Sequence, residues 1–143
     1  MNTLFEFCCE VIRYIAATFN ISYAACNILI FLHILPAVYL FTTLLVLISG
    51  FFKKSKLFGI LCIVGAIILG LFEFEYLWHM LCAYQLDSAS FDKSVIELQS
   101  MANYYGTTYQ IINIICFLII PIISIGFKCL LISINNKSIK RDQ

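Results

Sequence analysis

From Leu57 to Phe72 the chain reads LFGILCIVGAIILGLF, sixteen residues without a charge, an amide or a proline. Coiled as an α-helix, with about 1.5 Å of rise per residue, the run covers about 24 Å of a bilayer's hydrocarbon core, which is about 30 Å thick. The apolar character continues through Glu73, Glu75 and His79 to Cys82, so a span over 57–82 is expected. Two further stretches satisfy the length rule of about 20 mostly apolar residues. One covers 24–50 and contains Pro36; the other covers 108–134 and contains Pro121. The composition agrees, with 62% of residues hydrophobic and only 12% charged. A soluble domain is typically about 25% charged, so too few polar groups are present to cover a globule in water. The expected fold class is an all-α integral membrane protein, a helical bundle of three transmembrane helices plus two outer-face amphipathic helices, in one domain over 1–143.

Orientation follows from the basic residues. Lys53, Lys54 and Lys56 lie between the first two spans, and Lys128, Lys137, Lys140 and Arg141 lie at or beyond the end of the third. Only Arg13 and Lys93 fall on the other side. The positive-inside rule then puts the Lys53–Lys56 turn and the 135–143 tail in the cytoplasm, with the N-terminus and the 83–107 loop outside. The expected location is the inner (cytoplasmic) membrane of a bacterial cell.

The segment 4–19 is too charged for a fourth span. Glu6, Glu10 and Arg13 share one helical face, and Phe5, Cys9, Ile12, Ala16 and Phe19 share another, the pattern of an amphipathic helix lying in the interface. The outer loop repeats it over 90–105. Phe91, Val95, Leu98, Ala102 and Tyr105 form an apolar stripe, Asp92, Lys93, Gln99 and Asn103 turn away, and Gly106 is a helix stop.

These two segments align without a gap at a separation of 86 residues, as from Phe5 to Phe91. Glu6 pairs with Asp92, Ile12 with Leu98, Ala16 with Ala102 and Phe19 with Tyr105. The match runs on into the spans, Tyr23 with Tyr109, Asn27 with Asn113 and Phe31 with Phe117, and Pro36 and Pro121 fall within one position of each other. The pattern predicts a parallel internal repeat in which an outer amphipathic helix turns down into a kinked span, with span 57–82 as the return crossing.

Few groups carry chemistry. Glu75 and His79 stand one turn apart and are expected to pair, facing protein; Glu73, about 200° around the helix from Glu75, is expected near the outer boundary and pointing elsewhere. Asn27 and Asn113 need hydrogen-bond partners and can join helices for about 1 kcal/mol. His33, deeper in the first span, is expected to bond a backbone carbonyl or Asn113 rather than a metal. Cys62, Ala66 and Gly70, with Gly59 and Gly65, form a small-residue ridge suited to close helix packing. The seven cysteines include no C-x-x-C, and only two histidines exist, so no metal centre is expected. Cys8, Cys9, Cys26 and Cys82 lie toward the outer face, where a disulfide is open to them in an oxidising compartment.

No nucleophile elbow or phosphate-binding glycine loop occurs, so neither a catalytic residue nor a cofactor is expected. A net charge of +1 offers no basic stripe for nucleic acid. The expected partners are the lipid bilayer and another membrane protein or a second copy of the chain. The leading expectation is a non-enzymatic accessory or scaffold subunit; the alternative is a subunit of a transporter or channel handling protons or cations, motivated by Glu73, Glu75 and His79.

Overall fold

The computed structural model describes residues 2–51 and 56–137. Lys53, Lys54, Lys140 and Arg141, on which the orientation rests, lie outside the described residues. All regular structure among the described residues is helical, in five helices: α1, Asn2–Thr18; α2, Tyr23–Phe51; α3, Lys56–Ala83; α4, Ser88–Tyr104; and α5, which runs from Tyr109 to Lys137. Three of them are long and apolar enough to cross a membrane, over Tyr23–Phe51, Leu57–Ala83 and Tyr109–Asn135.

The joint from α1 to α2 follows from local chemistry. Asn20 takes a left-handed φ of 53°, which lets the Ile21 N–H reach back to Ala16 O at 3.0 Å and close the helix. Ser22 then caps α2, its Oγ accepting the Ala25 N–H. The joint from α4 to α5 is built the same way. Gly106 has φ 63°, Thr107 N–H bonds to Ala102 O at 2.9 Å, and Thr108 Oγ1 accepts the Ile111 N–H. Each of these residues stands 86 positions beyond its counterpart. The start of α4 is capped by Asp87, whose carboxylate accepts the Ser90 N–H at 2.7 Å. That bond to the charged form holds the Asp87 pKa below its ordinary value. The cap therefore adds stability above the usual carboxylate range and loses it as pH falls through the lowered value.

Neither proline breaks its helix. Ahead of Pro36 the turns widen over Ile28–Ile34, with Leu35 N–H bonding five residues back to Ile30 O. Ahead of Pro121 they widen over Ile115–Ile119, with Ile120 N–H bonding to Ile115 O. A proline ring collides with the carbonyl four residues back, and a wider turn moves that carbonyl aside.

The described helices fall into two compact units, Met1–Leu35 with His79–Pro121, and Pro36–Trp78 with Ile122–Gln143. The first unit holds a buried cluster of Ile12, Ala16 and Cys26, backed by Tyr23, Ile30 and Phe31. It holds another of Leu98, Ala102 and Ile112, backed by Tyr109, Cys116 and Phe117. Those six pairs again differ by 86 positions. Aromatic contacts cross over: Phe5 meets Tyr109 edge-on at 6.0 Å, Phe91 meets Tyr23 at 5.9 Å, and Phe31 lies against Phe117 at 4.6 Å. A third cluster packs Ile28 and Leu32 against Tyr84, Met80 and Ala83. On α1 the faces divide three ways. Ile12 and Ala16 are buried, Glu6, Glu10 and Arg13 are exposed, and Leu4, Phe7, Val11 and Tyr14 form a second, exposed apolar stripe that the sequence reading did not separate. Phe19 and Tyr105, the last members of the two apolar stripes, are exposed on the protein, and each lies beyond the last turn of its helix. All seven thiols are free, and the Cys26 thiol is buried against Ile12 O.

In the second unit α2 and α3 meet at small residues. A Cβ added to Gly50 would stand 3.0 Å from Ile63 Cγ1 and 3.3 Å from Gly59 O. Apolar burial gives little driving force between helices in lipid, so such close backbone approach is a main source of attraction. We predict that Gly50→Val overpacks this contact and lowers stability by about 1–3 kcal/mol in a denaturation titration in micelles. Gly126→Val, where a Cβ meets nothing within 4 Å, is expected to stay within about 0.5 kcal/mol. Equal effects at the two glycines would contradict the packing described.

Candidate functional site

The small-residue ridge of α3 runs Gly59, Cys62, Ala66, Gly70 in steps of three and four, and one more step of three reaches Glu73. The step matters because the ridge is the side of α3 turned toward α2 in the second unit, where Gly70 lies against Thr43. Glu73 is thereby carried into the interior. Its Oε1 lies 2.5 Å from Lys128 Nζ on α5, and its Oε2 accepts the Thr43 hydroxyl at 2.5 Å. Lys128 also donates to Tyr39 O at 3.0 Å and stands 5.3 Å from the centre of the Tyr39 ring. The side chains are 4% exposed at Lys128 and 13% at Glu73. One carboxylate, one ammonium, one hydroxyl and one carbonyl thus tie α2, α3 and α5 together. Close to the same unit's end, Asn135 Nδ2 donates to Ser49 Oγ at 2.8 Å, again joining α5 to α2.

The pair is deep. Glu73 lies three residues past the middle of Leu57–Ala83, and Lys128 six past the middle of Tyr109–Asn135, about 5 and 9 Å at the helical rise. Counting from Leu57 placed Glu73 near the outer boundary. The 28 residues of α3 extend to about 42 Å, however, well beyond a core of about 30 Å. Glu73 therefore stands nearer the middle of α3 than its end.

Glu75 and His79, expected to face protein, are both exposed. Residues two apart on a helix diverge by about 200°, so once the ridge turns Glu73 inward, Glu75 must turn out. Glu73, expected to point elsewhere, is the residue that finds partners in the protein. His33 Nε2 lies 3.1 Å from Tyr84 O, a backbone carbonyl as expected. The amides do not join helices: Asn27 Nδ2 donates to Tyr23 O at 2.9 Å and Asn113 Nδ2 to the Tyr109 hydroxyl at 3.3 Å, each within its own helix. A cluster that the sequence reading missed sits in the first unit. There the buried Tyr84 donates its hydroxyl to Glu97, and Lys93 Nζ stands 4.6 Å from the Tyr84 ring centre.

Lys128 was legible but misfiled. Read as an orientation marker at the end of the third span, it lies six residues inside 108–134, within IPIISIGFKCLLISI. A lysine there needs a partner, and Glu73 is an intramembrane acid in the same chain.

Beside the pair is a hollow of about 370 Å³, which touches Thr43 and Lys128 but neither Glu75 nor Asn27. Among the described residues no three His, Cys, Asp or Glu side chains gather as a metal site would require. No family model, curated protein or solved structure matches the chain.

Removing one member of a buried ion pair leaves the other uncompensated, which costs about 3–5 kcal/mol, whereas replacing both with apolar groups is often tolerated. We therefore predict that Lys128→Met and Glu73→Leu each destabilise the bundle by that order and that the double variant recovers most of the loss. A double-mutant cycle in micelles measures it; strictly additive losses would show that the two side chains do not interact.

Proposed function

We propose that this chain is a non-enzymatic integral membrane protein that serves as an accessory or scaffold subunit through helix contacts. One observation carries the reading. The two ionisable groups drawn into the interior of the second unit, Glu73 and Lys128, neutralise each other and are further held by Thr43 and Tyr39 O. A transport path requires polar groups that can release their partners to a passing ion. The hollow beside the pair is walled mainly by Leu, Phe, Val and Ala side chains. The reading of the three apolar helices as membrane spans rests on their length and composition. The orientation with the basic turn and tail inside rests on the lysine distribution.

We further propose that the chain arose by duplication of a unit made of an outer amphipathic helix and a span, related by a local two-fold axis. In a two-fold arrangement, residue i of one copy meets residue j of the other and j meets i. The contacts of Phe5 with Tyr109 and of Tyr23 with Phe91 have that reciprocal form. Phe31 against Phe117 joins residues at matching positions, as a contact on the axis must. The matched left-handed joints, caps and proline-widened turns support the same reading. The three faces of α1 suit a helix at the interface, with one face on protein, one in water and the Leu4, Phe7, Val11, Tyr14 stripe in lipid.

A second reading, ion or proton transport, draws on the intramembrane position of Glu73 and Lys128. Purification from native membranes, followed by flux assays in vesicles, separates the two. We expect a stoichiometric membrane-protein partner and no proton or cation flux above that of empty vesicles. Flux abolished by Glu73→Gln, in a protein that remains folded and inserted, would replace the accessory reading with transport.

A further inference from the structure

The faces that α5 and α3 turn outward differ in chemistry. Over 119–134 the exposed positions of α5 are Ile, Phe, Leu, Gly, Cys and Ser, a surface that acyl chains can cover. The exposed face of α3 carries Glu75 and His79 as well. Among the described residues neither side chain forms a hydrogen bond or an ion pair. Glu75 lies eight residues, about 12 Å at the helical rise, short of the end of the apolar helix Leu57–Ala83. Acyl chains offer a carboxyl group no hydrogen bond, and ionisable groups within spans are found paired. We propose that this face of α3 is the interface of a parallel two-fold dimer, in which the Glu75 carboxyl of each copy bonds the His79 imidazole of the other. The inference is independent of the accessory-subunit reading, because it concerns only how two copies of the chain meet.

Three observations make a second copy the occupant. The first is self-complementarity. A two-fold axis brings residue i of one copy to residue j of the other and j to i, so a carboxyl and an imidazole one turn apart on a single helix satisfy each other twice. A different protein would have to bring a donor and an acceptor of its own at the same spacing.

The second observation is period. Gly65, Ile68, Phe72, Glu75, His79 and Cys82 follow one another in alternate steps of three and four, and all six are exposed. That is the 3.5-residue repeat of two parallel helices crossing at about 20°. In such packing each side chain enters a hole lined by four residues of the facing helix, and for Glu75 one of the four is the His79 one turn further on in the other copy. The third observation is space. A Cβ added to Gly65 would meet nothing within 4 Å, so a second backbone can come close on the same line, and close approach is what joins helices in lipid.

The test uses the full-length protein, labelled at its N-terminus with a donor or an acceptor fluorophore and diluted in phosphatidylcholine vesicles. Energy transfer should report a dimer of the unsubstituted protein. Glu75→His and His79→Glu should each weaken self-association about tenfold, because each sets like groups against each other. Mixing the two variants should restore association, since an acid then faces an imidazole at both places. Oxidation with copper phenanthroline should link two unsubstituted chains through Cys82, whose Cα atoms must come within about 7 Å of each other, and Cys82→Ser should abolish the link. An unsubstituted protein that stays monomeric overturns the proposal, as does a dimer in which oxidation does not link Cys82. Mixed variants that associate no better than either alone overturn the reciprocal pairing. In native membranes, a Cys82 link to a different protein would give the face to that partner in place of a second copy. The unsubstituted chain decides all but one of these outcomes, so a variant that fails to fold does not shelter the proposal.

Discussion

An ammonium group in hydrocarbon has no water to hold, and Lys128 sits about 9 Å from the middle of its span with its side chain almost fully covered. The second unit is arranged around that constraint. Glu73 supplies the opposite charge, Thr43 supplies a hydroxyl to the carboxylate oxygen that Lys128 does not use, and Tyr39 supplies a carbonyl to the ammonium. These groups come from three helices, so satisfying one lysine fixes how α2, α3 and α5 meet. In water an exposed pair of this kind would contribute little. In lipid the alternative to pairing is an isolated charge, and the same contacts specify the packing of the unit.

The first unit depends on a different device, used at two places. A left-handed residue at Asn20 and at Gly106 ends a helix, and a Ser or Thr two residues later starts the next. The wider turns that follow accommodate Pro36 and Pro121 without breaking the rods. Because both joints are alike, Tyr23 and Tyr109 are delivered to equivalent places, each against the phenylalanine near the start of the other segment's helix.

Much of this was legible in the sequence. The spans were readable to within a residue or two at the described ends because hydrocarbon thickness sets their length. The joint at Gly106 was readable because glycine favours a left-handed φ. Asn20 was harder, since asparagine has many other uses. The ion pair was missed for a geometric reason. Glu73, Glu75 and His79 form a conspicuous local group, and i, i+4 spacing favoured Glu75 with His79. Which face of α3 points inward is decided by partners 30 and 55 residues away, Thr43 and Lys128. The ridge of small residues carried that information, because extending it by one step arrives at Glu73. The amides of Asn27 and Asn113 were expected to bridge helices, but Tyr23 O and the Tyr109 hydroxyl lie one turn away and satisfy them first.

The central claim is that Lys128 is held in the interior by Glu73. Lysine side-chain ¹⁵N NMR of the full chain in bicelles tests it directly, because ammonium protons that are bonded and shielded exchange slowly with water. Of the seven lysines, Lys128 alone is expected to show slow exchange at neutral pH, and Glu73→Gln is expected to speed it toward the rate of the others. A Lys128 resonance that exchanges as fast as those of the remaining lysines in the unsubstituted protein would contradict the account.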